Sequence, residues 1–284
     1  MGTPLGDFIR VARDRTRPET LGLAVGERRR VPGLRRTELA ARAGISVEYL
    51  TRLEQGRDRN PSPEVVNAVA DGLSLDLAER EHLKYLMKIT GGGACSGPAS
   101  RVVVPPSRAV RPGVRQMLDL LEPGVAYVTN RWGDVLAHTA AFGLVVQGAG
   151  LLETAEPNLT RYVFTDPRAR TFLVDWDQVA DERAFDLWLG PSLAMTEWFI
   201  EDLTPLAGDE LVRRLHRHVS PSAAPLGLRH PSGHVLRWDR ETLELDRADA
   251  QQIVVLLPAD AATEQALDRL RHVARTRPLR AVSG

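Results

Sequence analysis

The side chains able to do chemistry in this chain are mostly arginines, and they are unevenly placed. Arg28, Arg29, Arg30, Arg35 and Arg36 fall within nine residues. Residues 1–60 carry 13 arginines against 8 acids, although the whole chain balances 37 Lys+Arg against 37 Asp+Glu. A local excess of cations displaces counterions from a polyanion, so these arginines could engage phosphates or enter a minor groove; a solvated loop is the plainer alternative. Catalytic patterns are missing. The sequence has no Walker loop, no Gly-x-Ser-x-Gly elbow and no His-Glu-x-x-His. His216 and His218, two apart on an expected helix, would project from diverging faces and make a poor metal pair. Cys95 is the single cysteine, which rules out an intrachain disulfide and the paired spacings of zinc or redox motifs. No enzyme activity, no metal and no resident cofactor are expected. No apolar run reaches the length of a membrane span, and residues 1–15 lack the apolar stretch of a signal peptide, so a cytoplasmic setting is expected.

The elements that must carry the arginines are helical. Leu5, Phe8, Ile9 and Ala12 recur at the spacing of one helix face. Residues 38–43 and 46–56 form two short helices joined at Gly44, with Ser46 as N-cap of the second and Gly56 as its stop. Ser62 and Pro63 open a fourth helix with Val65, Ala68, Val69 and Leu73 inward. A fifth, from about residue 76 to 88, offers Leu83, Leu86 and Met87. Short helix, glycine turn and serine-capped helix make a helix-turn-helix: Ala40 is small at the crossing, while Ile45, Leu50 and Leu53 anchor the second helix so that its other face projects.

The stretch from Leu39 through Ser46 to Gly56, followed by Pro61-Ser62-Pro63, resembles the XRE (phage-repressor-like) family over residues 34–75. That resemblance implies a DNA-reading helix whose exposed start presents Val47, Glu48, Thr51 and Arg52, with Glu48 to a cytosine amino group, Thr51 to a base or phosphate and Arg52 to guanine or the backbone; Arg36 would clamp phosphate, and Ser46, Arg35 and Arg57 complete the expected DNA-binding set. Tyr49 has two readings, partial burial or a contact to phosphate and thymine methyl. One departure stands out. Arg35-Arg36 replaces the Thr-Gln that often opens the first of these helices, and Arg35 is a poor N-cap, so the helix start is expected elsewhere. A single such head reads few base pairs, so a homodimer on an inverted repeat with half-sites about one helical turn apart is expected.

Residues 91–108 are rich in Gly and Pro and read as a linker between a head, 1–90, and a larger part, 109–284. An amphipathic helix at 112–121 offers Val114, Met117, Leu118 and Leu121 for dimerisation or for packing on its own domain. A hairpin at 126–138 and helices at 158–164 and 166–172 come next. Three strand candidates follow, at 226–230, 234–238 and 252–257, with Thr242-Leu243-Glu244-Leu245 between the last two. The fold class is thus α+β: an all-α, five-helix phage-repressor-like head, then a mixed, PAS-like sensor domain with an antiparallel sheet.

Taken together, Gly33-Leu34-Arg35-Arg36, Tyr49 to Gly56, Asp134-Val135-Leu136-Ala137, Asn158-Leu159, Phe164 to Arg170, Asp175-Trp176, His230-Pro231 and Glu241 to Leu245 resemble the MmyB-like regulators over nearly the whole chain. The resemblance implies a one-component transcription regulator whose second domain takes a small apolar ligand, with fatty acid the best-supported class. His138-Thr139 departs from the family's usual Trp-Asn, and residues 181–221 lack its usual wording. Tyr162, Phe164, Phe172, Trp176, Trp188, Trp198 and Phe199 are candidates to line the pocket, each with core packing as the alternative. Arg161 and His230 are candidates for a ligand carboxylate or for local partners. Two other classes stay open: a haem- or flavin-loaded sensor with His138 as axial ligand, and a helix-turn-helix protein acting through protein contacts, as an antitoxin does.

Overall fold

The computed structural model of the 284-residue chain describes residues 3–23, 31–91, 107–189, 193–219, 221, 224–245 and 251–276. Arg28, Arg29 and Arg30 lie outside the described residues, as do residues 92–106 of the linker. By contacts the chain divides into two compact units, and the division does not follow the chain order. Unit 1 is Met1–Val104 together with Ser192–Ile200 and Val212–Ser220; unit 2 is Pro105–Pro191, Glu201–Leu211 and Pro221–Gly284.

Unit 1 holds α1 (Pro4–Arg15), α2 (Arg36–Ala43), α3 (Val47–Glu54), α4 (Pro63–Gly72) and α5 (Leu77–Thr90). The Thr3 hydroxyl caps α1 by accepting from Gly6 N at 3.2 Å, and the expected stripe Leu5, Phe8, Ile9 and Ala12 is buried. Gly6 is there for close approach, since a Cβ on it would stand 2.5 Å from the Leu53 carbonyl oxygen of α3. Gly44 joins α2 to α3 at φ +64°, a left-handed turn that side chains disfavour, and Ile45 N returns to Ala40 O at 3.0 Å. Ser46 caps α3 through Tyr49 N at 3.0 Å. The inner face of α4 is Val66, Val69, Ala70 and Leu73. Val65 and Ala68, expected inside, are only half-buried, because the stripe begins one residue later than the cap suggests. Asp76 and Glu79 cap α5 reciprocally, at 2.9 and 3.1 Å.

α5 also buries His82, and so does a residue from far along the chain. The Phe8 ring sits edge-on to His82 at 5.1 Å and to His218 at 5.5 Å, and His82 Nε2 lies 3.3 Å from His218 Nδ1. His216 and His218 stand beyond the end of a helix at Asp209–Leu215, not on it as the sequence suggested. His218 adopts φ +47° and turns into the core, while His216 stays half-exposed beside Asp7.

Unit 2 begins with α6 (Pro112–Leu120) and the hairpin β1 (Val125–Thr129) and β2 (Val135–His138). A helical crossover follows, made of α7 (Ala140–Val145), α8 (Leu159–Thr165), α9 (Arg168–Phe172) and α10 (Trp176–Trp188). Next come α11 (Leu193–Ala207) and α12 (Asp209–Leu215), whose residues are shared between the units. The chain ends in β3 (Leu226–Arg229), β4 (Val235–Glu244), β5 (Gln252–Pro258) and α13 (Ala261–Thr276). The antiparallel sheet runs β2-β1-β5-β4-β3. β4 runs on to Glu244 where the sequence suggested a strand ending at Trp238, because polar Asp239, Arg240 and Glu241 interrupt the apolar alternation without breaking the ladder to β5.

Alternation gives the sheet two apolar faces. Ala126, Val128 and Ile253 meet Val110, Val114 and Leu118, so α6 packs on its own domain with its stripe, while Met117 and Leu120 stay exposed. On the other face Val125, Tyr127, Leu236, Trp238, Val254 and Leu256 meet the helical crossover. The β1–β2 turn is built on Asp134. Its carboxylate accepts from Asn130 Nδ2 (2.9 Å), Asn158 Nδ2 (3.0 Å) and Arg108 Nη1 (2.7 Å), and the Asn158 side chain also caps α8 through Arg161 N at 2.8 Å. No helix among the described residues is long and apolar enough to cross a membrane.

Candidate functional site

Two sites follow from this frame, one in each unit. In unit 1, burial of Leu50 and Leu53 turns the opposite side of α3 outward. Glu48 and Arg52 are exposed there, and Val47 and Thr51 are half-buried, the Thr51 hydroxyl donating to Val47 O at 2.8 Å. Tyr49 is half-buried, with the Arg52 guanidinium 5.3 Å from its ring centre. Burial raises its phenol pKa, Asp58 adds to the shift and Arg52 opposes it. Ser46, Arg35 and Arg57 are exposed.

α2 begins directly after Arg35, contrary to the expectation drawn from that poor cap. Glu38 supplies the missing cap by accepting from Arg35 N at 2.7 Å. Arg36 has a partner that the sequence did not disclose. Its Nε donates to Glu54 Oε2 at 2.6 Å, and Arg13 Nε donates to Glu54 Oε1 at 2.7 Å; the Glu54 side chain is 1 % exposed while that of Arg36 remains 44 % exposed. The last residue of the reading helix is thereby tied to α1 and α2 through one buried carboxylate between two cations.

In unit 2, a cavity of about 60 Å³ lies between the sheet and the crossover helices. Its walls come from Tyr127 and Leu256 on the sheet, Phe142 and Val146 near α7, Leu159, Tyr162 and Val163 on α8, Phe172 and Leu173 at α9, and Leu226 and Leu228 on β3. Val179 and Arg183, one turn apart on α10, and Arg240 on β4 complete it. Arg240 is clamped by Glu182, Nη1 to Oε2 at 2.6 Å and Nη2 to Oε1 at 3.0 Å. Burial alone would raise the Glu182 carboxyl, but the Arg240 hydrogen bonds and charge outweigh it and hold the pKa below its ordinary range. Burial works against the charge on Arg240 as well, and Glu182 more than offsets it.

Of the candidates read from sequence, Tyr162 and Phe172 line this cavity. The Tyr162 hydroxyl donates to Ala149 O at 2.9 Å, which fixes its ring against the wall. The others stand elsewhere. Phe164 packs edge-on to Trp176 at 6.4 Å; the Trp176 indole donates to Val163 O at 3.0 Å and carries Arg170 over its face at 3.6 Å. Trp188 is buried at the end of α10, and Trp198 and Phe199 belong to the part of α11 that groups with unit 1. Arg161 pairs with Asp202 at the surface. His230 is spent on a turn, with Nε2 3.1 Å from Leu144 O and Nδ1 2.7 Å from Ser232 Oγ, and burial lowers its pKa. His138 is exposed on β2, its Nδ1 2.9 Å from Thr139 O, and is not part of the cavity wall. Arg183 and Arg240 were missed because a charge in sequence reads as exposure. The one available signal was the spacing that puts Val179 and Arg183 on the same face of α10.

Comparison with known families gives two matches. Residues 4–83 match a helix-turn-helix domain, and residues 110–270 match the MmyB-like transcription regulator ligand binding domain. No curated protein matches the chain. The second match covers the sheet, the cavity and most of α13, and exceeds half the chain. Head and sensor therefore identify the chain as a member of the MmyB-like transcription regulators, a helix-turn-helix DNA-binding domain followed by an MmyB-like ligand-binding domain.

Proposed function

We propose that this regulator acts on DNA as a cytoplasmic homodimer at an inverted repeat, and that the ligand it responds to is a fatty acid held in the cavity of unit 2. The observation that carries the ligand reading is the make-up of that cavity: apolar walls with Arg183 and Arg240 as its charged members. Apolar walls favour a hydrocarbon, and a buried cation favours an anionic end over a neutral one, so an amphiphilic acid fits both. The projecting face of α3, with Glu48 and Arg52 exposed, supports base reading in the major groove. Two α3 helices one helical turn apart would read a palindrome. Native mass spectrometry of protein as purified, then stripped of lipid and incubated with palmitic acid, tests the ligand. Adducts of acyl mass are expected, and their absence in both samples would overturn the fatty-acid reading. Genome-wide mapping of bound sites tests the rest, with protected inverted repeats expected. Protection of single half-sites would overturn the dimer.

A further inference from the structure

Two ion pairs stand beside the cavity: Arg183 and Arg240 line it, and each is paired, Arg183 with Asp186 of α10 and Arg240 of β4 with Glu182 of α10. Their charges cancel. The two arginines are not equivalent, however. Arg240 has both terminal nitrogens committed to the two oxygens of Glu182, a closed fork that offers little to a newcomer. Arg183 pairs with Asp186 by one nitrogen at 2.5 Å, and among the described residues no other ion-pair partner holds it. A guanidinium carries five N–H donors, so most of its fork is open to another acceptor.

A second observation marks the same end of the cavity. Tyr127 is buried on the sheet and lines the wall. It lies within electrostatic reach of Arg183, Arg240, Asp186 and Glu182 together. A phenol at a cavity wall beside two guanidinium groups is a donor placed where a ligand oxygen would meet those cations. The Tyr162 hydroxyl is already satisfied by the backbone.

We infer that Arg183, assisted by the Tyr127 hydroxyl, receives the carboxylate of the bound acid, while Arg240 and Glu182 form a fixed pair that positions this end of the site. The inference rests on the fatty-acid reading above. It adds an exchange of partners. The four side chains are neutral as a set, so a ligand carboxylate would leave an excess anion unless Asp186 releases Arg183 and turns to water. The Asp186 side chain is 13 % exposed and one helical turn away, so this step needs only a rotamer change. A neutral lipid of the same length cannot drive the exchange, which makes the site selective for acids over esters.

Fluorescence titration of the lipid-free, full-length protein with cis-parinaric acid and with its methyl ester tests the inference. The acid is expected to bind wild type about ten to a hundred times more tightly than the ester, the range of one charge-assisted hydrogen-bonded pair. Arg183→Gln should weaken the acid by a similar factor and leave the ester unchanged, with Arg183→Lys restoring part of the loss. Tyr127→Phe should weaken the acid about threefold. Arg161→Gln, at the surface, should change neither. If wild type binds acid and ester alike, or if Arg183→Gln binds the acid as wild type does, the carboxylate is not received at Arg183, although binding itself still supports a fatty-acid pocket. If neither probe binds folded wild type, the fatty-acid reading fails and this inference fails with it. If Arg183→Gln does not fold, equal binding of acid and ester by wild type still overturns the inference, and Arg183→Lys and Tyr127→Phe still test this end of the site.

Discussion

The buried pair His82 and His218 makes unit 1 sensitive to mild acid. Burial pushes the His82 pKa down to about 3, with the Arg15 cation adding to the effect. His218 is pushed down to about 2 by burial, then by His82 and His216 and by Arg15 and Arg10. The contact itself requires neutrality, because a 3.3 Å bond between Nε2 and Nδ1 has room for one proton and not two. In the unfolded chain both rings titrate near their ordinary 6.5. The folded-state values are depressed, so the unfolded state binds more protons in acid. Stability is full above 6.5 and is lost as pH falls from there toward the folded values. Each ring contributes about 1.4 kcal/mol per pH unit in that window, so lowering pH from about 7.5 to about 5.5 costs about 3 kcal/mol for the pair.

For a unit of this size that is a drop of roughly 10 °C in Tm. Differential scanning calorimetry at the two pH values reads it directly. A double variant, His82→Gln with His218→Gln, keeps hydrogen-bonding groups at both positions and removes the titration. Its Tm should change much less between the two conditions. His230 titrates in the same direction but lies in unit 2 and remains in both proteins, so it cancels in the comparison. Equal drops in wild type and double variant would refute the reasoning.

Further predictions concern the head. Glu54→Ala takes from Arg13 its buried carboxylate, leaving it the half-exposed Asp14, and should cost about 2–3 kcal/mol in urea unfolding, whereas an exposed ion pair such as Lys84–Glu81 should cost less than about 1 kcal/mol when broken. Gly6→Ala drives a Cβ to 2.5 Å from the Leu53 carbonyl oxygen, so α1 must shift; a loss of about 1–3 kcal/mol is expected from the same measurement. Arg29→Ala with Arg30→Ala should weaken operator binding almost uniformly across sequences and flatten its salt dependence by about one unit of slope for each phosphate no longer neutralised, as read by anisotropy titrations at several salt concentrations.

Local pattern made most of the head legible. The stripe Leu5, Phe8, Ile9 and Ala12, the turn at Gly44 and the caps at Ser46 and Ser62 are decided by residues within four positions of each other, and all stand where the sequence put them. The ladder of β5 and the hairpin of β1 and β2 were legible for the same reason, through alternation and turn residues. What sequence could not show depends on partners far along the chain. Glu54 reads as an ordinary helix-end acid until Arg13, 41 positions away, folds onto it. Arg240 meets Glu182 across 58 positions, and without that pairing neither charge would be placed at a cavity wall. The aromatic candidates divided for a similar reason. Ring size predicts burial, which Trp176 and Phe199 satisfy, but not which buried ring borders empty space. Residues 192–200 and 212–220 carry no change in composition to announce that they pack with the head.

That interleaving bears on the order in which the protein is made. α1 to α5 have been synthesised by residue 91, yet His218, which packs on Phe8 and His82, is added more than a hundred residues later. At about 5–20 residues per second, the head waits roughly 6–25 seconds for its last segments. The core of unit 1 is therefore complete only once most of the ligand-binding domain has been made, and a chain terminated before residue 218 would lack the ring that packs on Phe8 and His82.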